Sequence, residues 1–344
     1  MLLPTNTADE VLRVPANRPD LAFSGASAFE AEYRVLAKRW HPDVCSEPMA
    51  ADVLARLNLL RAAAAKASAA GHWGEGDVLL VEGADGTQRR FRYRRRAPFD
   101  LGEIVYGVTH IGWLIRPDCA DLADAGVVAI NGIEFPTPGM RRQFEPDLPR
   151  VAAAMRTSDG GRMIVMRQQE KPAYMLSDLV AAAGGRLPAT AVAWLTSRLL
   201  NFACFFQAAG VTHNGLTPQN LFVDHEAHVV RVLGGWWHSA PAGRRLASLP
   251  AFAARYASRG LMASKRADSA LDRASLRASL RAALGDETGI GIDAPKPMIE
   301  FLAHPGTGDA IQDFKRWDRE VLPASFGPRR FVKLDIPQSA IFGL

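Results

Sequence analysis

Tyr33-Arg34-Val35-Leu36-Ala37-Lys38-Arg39-Trp40-His41-Pro42-Asp43 is the stretch on which the reading of this chain turns. Phe29, Tyr33, Leu36 and Trp40 recur at steps of four, three and four, which is one apolar stripe of a helix over Ala28 to Trp40. Arg34 and Lys38 stand one turn apart on a different face. Ser27 is placed to cap this helix, with Glu30 in capping-box position, and Pro42 ends it. A second amphipathic helix follows from Ala50 to Ser68, carrying Val53, Leu57, Leu60 and Ala64. A short helix around Ala8 to Val14 precedes the pair. The spacing predicts two antiparallel helices joined by a loop of about ten residues.

This segment resembles the J domain of DnaJ-type co-chaperones, over roughly residues 8–68, with Asp9-Glu10-Val11-Leu12-Arg13-Val14 standing for the short first helix. The resemblance rests on His41-Pro42-Asp43 at the exit of a basic helix, with a second amphipathic helix, Leu57-Asn58-Leu59-Leu60, behind it. It implies that His41, Pro42 and Asp43, with Arg34, Lys38 and Arg39, bind a DnaK-type heat-shock chaperone and stimulate its ATP hydrolysis. The physical chemistry agrees: Asp43 is an ionised carboxylate able to reach a partner cation, and the three basic side chains would steer an acidic surface. No covalent step is required of such a module, which acts by biasing its partner's conformation. The chain departs from the family pattern in a longer, Gly/Pro-containing connection from Pro15 to Gly25 and in lacking a clear fourth helix. The blander reading is an incidental helix stop beside a solvated basic face.

Beyond the glycine-bearing segment 71–76 the period changes to two. Val78 to Val81 and Arg90 to Arg94 flank Ala84-Asp85-Gly86 as a hairpin, with Phe91 and Tyr93 alternating with Arg90, Arg92 and Arg94. Six arginines (Arg89, Arg90, Arg92, Arg94, Arg95 and Arg96) crowd this region, and the favoured reading is a solvated strand face with its aromatics turned to a core. Further strand-like runs are Ile104–Val108, Trp113–Arg116 and Met163–Met166. After Met175 the pattern is mostly helical, near Leu176–Ala183, Ala189–Ala209, Leu271–Leu284 and Gly308–Val321. Strands followed by helices predict an α+β chain.

Within that stretch, Val211-Thr212-His213-Asn214-Gly215-Leu216-Thr217-Pro218-Gln219-Asn220-Leu221-Phe222-Val223 is similar to the catalytic loop of protein kinases, H-R-D-L-x-x-x-N. His213, Leu216 and Asn220 match, while Gly215 stands at the catalytic aspartate. In the same register Gly234-Gly235-Trp236 falls at the magnesium-binding D-F-G, and Arg116 in Trp113-Leu114-Ile115-Arg116 replaces the phosphate-binding lysine. Where that lysine's glutamate partner is due, the chain has Ala125 and Gly126, and the glycine-rich loop candidate, Gly102 to Tyr106, has one glycine. Asp272 resembles the aspartate that anchors the catalytic loop from below. The resemblance covers about residues 77–285. Gly215 cannot take a proton and Gly234 cannot ligate a metal, so the similarity implies the fold without phosphoryl transfer, a pseudokinase.

The expected organisation is therefore a small all-helical J domain over 1–70, a linker over 71–76 and a two-lobed kinase-like domain over 77–344, its small lobe about 77–170 and its large lobe about 171–344. The expected function is a J-domain co-chaperone whose catalytically empty kinase-like domain binds an unknown client. An atypical serine/threonine kinase and a nucleotide-sensing pseudokinase are the alternatives. No metal or cofactor is expected, ATP having only weak support in the residues. Trp236, Trp237 and His238 read as core packing able to fill the emptied cleft. His225 and His228 read as surface residues, and Ser239 with Asp224 lacks the G-x-S-x-G turn of a hydrolase.

Composition sets the outer bounds. The 344 residues are 48% hydrophobic and 22% charged, enough for a large core and unlike a disordered or collagenous chain. A net charge of +5 does not by itself call for nucleic acid, which is not an expected partner. Cys45, Cys119 and Cys204 lie far apart, unlike a disulfide scaffold or a zinc site. Asp9 and Glu10 interrupt what a signal peptide would need, and Thr196, Ser197, Arg198, Asn201 and Gln207 interrupt the most apolar stretch, Val192 to Val211. A cytoplasmic protein without a membrane partner is the expectation.

Overall fold

Val11, Phe23, Leu36, Trp40, Val53, Leu57, Leu60 and Ala64 close a first hydrophobic core that shares no member with the larger one behind it. In a computed structural model, described for residues 2, 6–69, 73, 77–107, 109–168, 173–328, 332–336 and 340–341, the chain mixes helix and sheet, 46% helical and 18% strand. Four helices build the first core: α1 (Ala8–Arg13), α2 (Pro19–Ala22), α3 (Phe29–Arg39) and α4 (Ala50–Ala69). The expected stripe is the buried face of α3, Phe29, Leu36 and Trp40 inside with Tyr33 half-buried, and all four apolar positions named for α4 are buried. Each such side chain contributes roughly 1.5–3 kcal/mol when fully buried. Glu30 accepts from Arg61 at 3.0 Å and the Tyr33 hydroxyl donates to Asn58 at 2.6 Å. Partner numbers fall along α4 as they rise along α3, so the two helices are antiparallel.

One local reading needs correction. The cap of α3 is Ala28, with no side-chain bond, and not Ser27. The chain enters this helix through a turn in which the Ala28 and Phe29 N–H groups both donate to the Gly25 carbonyl, and Glu30 is drawn to Arg61. The capping box sits instead on α1, between Thr7 and Glu10. Within the Gly/Pro-containing Pro15–Gly25 connection, Pro19 at its first position starts the one-turn α2. Of the expected linker 71–76, only Trp73 lies among the described residues; its ring packs on Phe29 at 5.8 Å, and Arg94 donates to its carbonyl at 3.0 Å.

Next come β1 (Asp77–Glu82) and β2 (Gln88–Tyr93), the expected hairpin, with Leu79 opposite Phe91 and Glu82 opposite Gln88. Then follow β3 (Arg95–Phe99), β4 (Gly102–Tyr106), β5 (His110–Ile115), α5 (Ala120–Asn131), α6 (Pro138–Phe144), β6 (Val151–Arg156) and β7 (Arg162–Arg167). Val108, the expected end of β4, lies outside the described residues. These strands form one antiparallel sheet ordered β3-β4-β5-β7-β6. Ile104, Tyr106, Ile111, Trp113, Ile115, Ile164 and Met166 line its inner face as part of the second core. The β1–β2 hairpin covers part of the other face, with Phe91 over Gly112 and half-buried rather than inside a core.

The chain continues through β8 (Tyr174–Met175), α7 (Leu176–Ala182), α8 (Ala189–Ala208), β9 (Val211–Thr212), β10 (Leu221–Asp224), β11 (Val229–Val232), β12 (Ala240–Pro241), α9 (Ala251–Ala254), α10 (Arg259–Ser264), α11 (Ser269–Ala283), α12 (Lys296–Ala303) and α13 (Ala310–Arg316). A π-helical turn over Trp317–Val321 leads into α14 (Leu322–Phe326). Helix α8 is long and apolar enough to cross a membrane by length and composition, yet Leu195, Leu199, Phe202, Phe205 and Phe206 are buried inside the second core. That core joins the inner face of the sheet to α7, α8 and α11, and the contact between the two halves positions the residues described next.

Candidate functional site

Two places carry the residues singled out from the sequence. The first is the exit of α3. Trp40 caps the helix, its N–H donating to the Leu36 carbonyl, and its ring is fully buried under the Arg39 guanidinium. The chain then turns sharply, with the Val44 and Cys45 N–H groups both donating to the His41 carbonyl at 2.8 Å. His41 and Asp43 face one another across this turn, Nδ1 to Oδ2 at 3.4 Å. Their side chains are 49% and 85% exposed, so the carboxylate is free to leave that weak pairing for an incoming cation. Arg34, Lys38 and Arg39 are exposed on the preceding turns, and none of the three has an ion-pair partner among the described residues. Val35 and Val44, 54% and 71% exposed, add apolar surface beside them. All six expected residues are thus solvent-exposed, on α3 and in the turn that follows it.

The second place is buried. Between β9 and β10 the chain runs through His213, Asn214, Gly215 and Asn220 under the apolar end of α8. Asp272, in the first turn of α11, accepts from the His213 N–H at 2.8 Å and from the Asn214 N–H at 2.6 Å. Asn214 holds a left-handed backbone at φ 58, tolerable for asparagine because its side-chain amide donates to Thr212 Oγ1 at 2.9 Å and to the His238 carbonyl at 3.0 Å. The His213 ring lies between Phe206 and Trp236, at 5.7 and 4.9 Å between centroids. Burial pushes its pKa down to about 3, and Nδ1 accepts the Gly215 N–H at 3.2 Å, so the neutral ring carries its proton on Nε2. Burial also lifts Asp272, to about 7, against the two N–H donors.

Asn220 donates to the Gly215 carbonyl at 3.0 Å, and Gly234 and Gly235 close over it. A Cβ on Gly234 would meet Asn220 Oδ1 at 2.7 Å, and one on Gly235, at φ +82, would meet His213 Cε1 at 2.7 Å. The structure therefore brings His213, Gly215, Asn220, Gly234 and Asp272 together. It does not bring Arg116 to them. That side chain is exposed, with its guanidinium on Asp118 at 3.3 Å and the Asp100 carbonyl at 3.2 Å. Strand β5 ends at Ile115, ahead of Pro117, and alternation gives Ile115 rather than Arg116 the face that Trp113 occupies.

Aromatic side chains occupy the space between the sheet and this loop. Phe222 packs on Tyr106 and Trp113 at 6.3 and 6.1 Å, and Trp237 on Phe99 and Trp113 at 5.4 and 6.1 Å. A Cβ on Gly126 would stand 3.1 Å from Trp237 Cα, so glycine at that point of α5 lets the helix close on the tryptophan. At the rim, Asp100, in the tight β3–β4 turn, holds His238 Nε2 at 3.0 Å, and His238 Nδ1 pairs with Ser248 at 2.7 Å. Sequence reading marked His238 as packing and missed Asp100 and Ser248. The turn signal Asp100-Leu101-Gly102 was legible, but its partner lies 138 residues away. Tyr106 and Arg95 meet Asp178 at 3.3 and 3.0 Å, a second polar tie between the sheet and α7.

The arrangement has no carboxylate at Gly215 or Gly234 to take a proton or hold a metal. Among the described residues no group of three or more His, Cys, Asp or Glu side chains stands together as a metal site. Comparison of the chain with protein-family models and with curated proteins finds no match.

Proposed function

We propose that this chain is a J-domain co-chaperone, docking on a DnaK-type chaperone through the α3 corner and stimulating its ATPase, with a kinase-like region that has lost phosphoryl transfer and serves to bind a client. The observation that carries the reading is the corner itself: His41-Pro42-Asp43 exposed at the end of a helix whose Arg34, Lys38 and Arg39 have no ion pair among the described residues. Unpaired cations flanking an exposed carboxylate are costly to neither fold nor solvation, and they match a partner with an acidic face and one reachable cation.

The reading of the remainder as kinase-like is supported by the sheet order β3-β4-β5-β7-β6 with α5 inserted after β5, and by Asp272 holding the backbone of the His213 loop. Loss of catalysis is supported by Gly215 and Gly234, where a Cβ would stand 3.1 Å from the Gly235 carbonyl and 2.7 Å from Asn220 Oδ1, and by Trp113, Phe222 and Trp237 filling the space a nucleotide would need. The same filling weighs against an atypical kinase or a nucleotide sensor.

The test is a single-turnover ATPase measurement on a DnaK-type chaperone. Wild type is expected to stimulate hydrolysis and Asp43→Asn to give the unstimulated rate while melting at the wild-type temperature. Equal stimulation by both proteins, or none by either, would remove the co-chaperone reading.

A further inference from the structure

Outside the α3 corner and the buried loop, the outer face of the sheet holds a cavity of about 630 Å³ beneath the β1–β2 hairpin. Its floor is Ala153 and Met155 of β6 with Met163 and Val165 of β7, and its roof is Val81 and Phe91. Arg89, Arg90 and Arg92 are among the residues bordering the cavity. Arg90 and Arg92 alternate with Phe91 and face away from the sheet, so their charge acts on the groove as a field. Among the described residues no carboxylate lines the cavity. Arg167 continues the Met163–Val165 row on the same face by strand alternation. Arg90, Arg92 and Arg167 have no ion-pair partner among the described residues.

The cavity opens beside a strand edge. β6 ends the sheet and pairs on one side only, with β7. Its other side is bonded at its carboxyl end, where the Ala84 N–H donates to the Arg156 carbonyl at 2.9 Å and the Ser158 N–H to the Glu82 carbonyl at 2.8 Å. There the hairpin departs. Ala154, two residues before Arg156, turns its N–H and C=O to the same open side, and no backbone bond is made there among the described residues. Ala152, Ala153 and Ala154 are all exposed, and the edge runs regularly from Ala153 onward, past the bulge between Val151 and Ala153.

We infer that an extended polypeptide segment, apolar at its centre and acidic at its flanks, adds as a strand along the open edge of β6 and places alternate side chains under the hairpin. Strand addition supplies main-chain hydrogen bonds from Ala154, the Met/Val/Ala floor accepts small aliphatic side chains, and the arginines set the charge of the flanks. A nucleic acid fits the same charge but not the floor, which is aliphatic: Ala153, Met155, Met163 and Val165 offer no ring on which a base could stack. This inference rests on the client-binding role proposed for the kinase-like region and gives that role a location.

The probe is a fluorescein-labelled synthetic peptide with a valine–alanine centre and glutamate ends, followed by anisotropy on the full chain. Binding is expected, weakened at least tenfold by Arg90→Glu with Arg92→Glu and, independently, by Ala153→Glu, which places a like charge and bulk in the groove. Both sites are exposed, and unchanged thermal melts are expected for these variants. A peptide with lysine ends should bind at least tenfold more weakly, and Asp43→Asn should bind the glutamate peptide as wild type does. No binding, equal binding of the two peptides, unaltered binding by both variants, or displacement of the peptide by single-stranded RNA would overturn the inference. Peptide binding without ATPase stimulation would leave the groove standing and remove the co-chaperone reading; stimulation without peptide binding would do the reverse.

Discussion

Asp272 and His213 lie 59 residues apart in sequence, and the carboxylate of one accepts the backbone N–H of the other at 2.8 Å in a fully buried setting. With the second bond to Asn214 this fixes the loop that carries Gly215 and Asn220. Asp272→Asn removes the titrating carboxyl while keeping its size, so the comparison isolates the proton that the buried carboxyl holds. The sign of the pH dependence follows from burial, which raises Asp272 from 3.8 to about 7. The folded chain holds that proton more tightly than the unfolded chain, so this contribution is full below about pH 4 and is lost as pH rises through about 7. Urea melts of wild type and Asp272→Asn should therefore differ most near pH 4 and converge toward pH 7. A gap that stays constant from pH 4 to pH 7 would mean that the carboxylate is ionised throughout that range.

On the pseudokinase reading proposed above, Gly234 and Gly215 stand where a restored carboxylate would be crowded by its neighbours. Restoring a metal-binding carboxylate with Gly234→Asp drives a Cβ to 2.7 Å from Asn220 Oδ1, and overpacking of this kind typically costs about 1–3 kcal/mol. Gly215→Asp meets the Gly235 carbonyl at 3.1 Å and the His238 ring at 3.3 Å. The double variant is expected to melt lower than wild type and to transfer no phosphate from γ-labelled ATP to itself or to a generic protein substrate. Measurable transfer would show that the site can relax around the new side chains.

The periodic elements were legible from the residues, because amphipathic spacing survives any tertiary context. α3, α4, α8 and the β1–β2 turn fall within one or two residues of expectation. β3 and β6 were not read. Arg95-Arg96-Ala97-Pro98-Phe99 has a proline and adjacent arginines, and it is held as a strand because Arg95 and Arg96 find Asp178 and Glu103. Val151-Ala152-Ala153-Ala154 suggests helix by propensity, and sheet pairing to β7 overrides that weak preference. At the site, Asp272 and the glycines were visible as motif positions. Asp100 with His238, and Gly126 beneath Trp237, depend on pairings over more than a hundred residues that no local pattern encodes.

Charge and shape at the α3 corner separate by salt. On the co-chaperone reading proposed above, the exposed Arg34 and Lys38 steer the partner through solvent, so Arg34→Glu with Lys38→Glu should slow association several-fold at low ionic strength. That deficit should shrink near 1 M salt, where the screening length is about 3 Å. Asp43 acts at contact, and the loss in Asp43→Asn should persist at every salt concentration. Surface plasmon resonance against the DnaK-type chaperone reads both effects. Salt-independent losses from the basic pair would reassign Arg34 and Lys38 from steering to direct contact.

On the kinase-like reading proposed above, Trp237 occupies the space between the sheet and the His213 loop where a nucleotide would enter. It is fully buried, packed on Phe99 and Trp113, with α5 closed against its backbone at Gly126. A ligand bound at a hundred times its dissociation constant would stabilise the fold by about 2.7 kcal/mol, an easily read rise in melting temperature. ATP, with or without Mg²⁺, is expected to leave the wild-type melt unmoved, because entry requires expelling a tryptophan whose removal from a core costs about 3–5 kcal/mol. Trp237→Ala should melt well below wild type for the same reason. A metal-independent rise with wild type would restore the nucleotide-sensor reading, and one that needs Mg²⁺ would restore the kinase, since either requires Trp237 to vacate a space that its neighbours are shaped to keep filled.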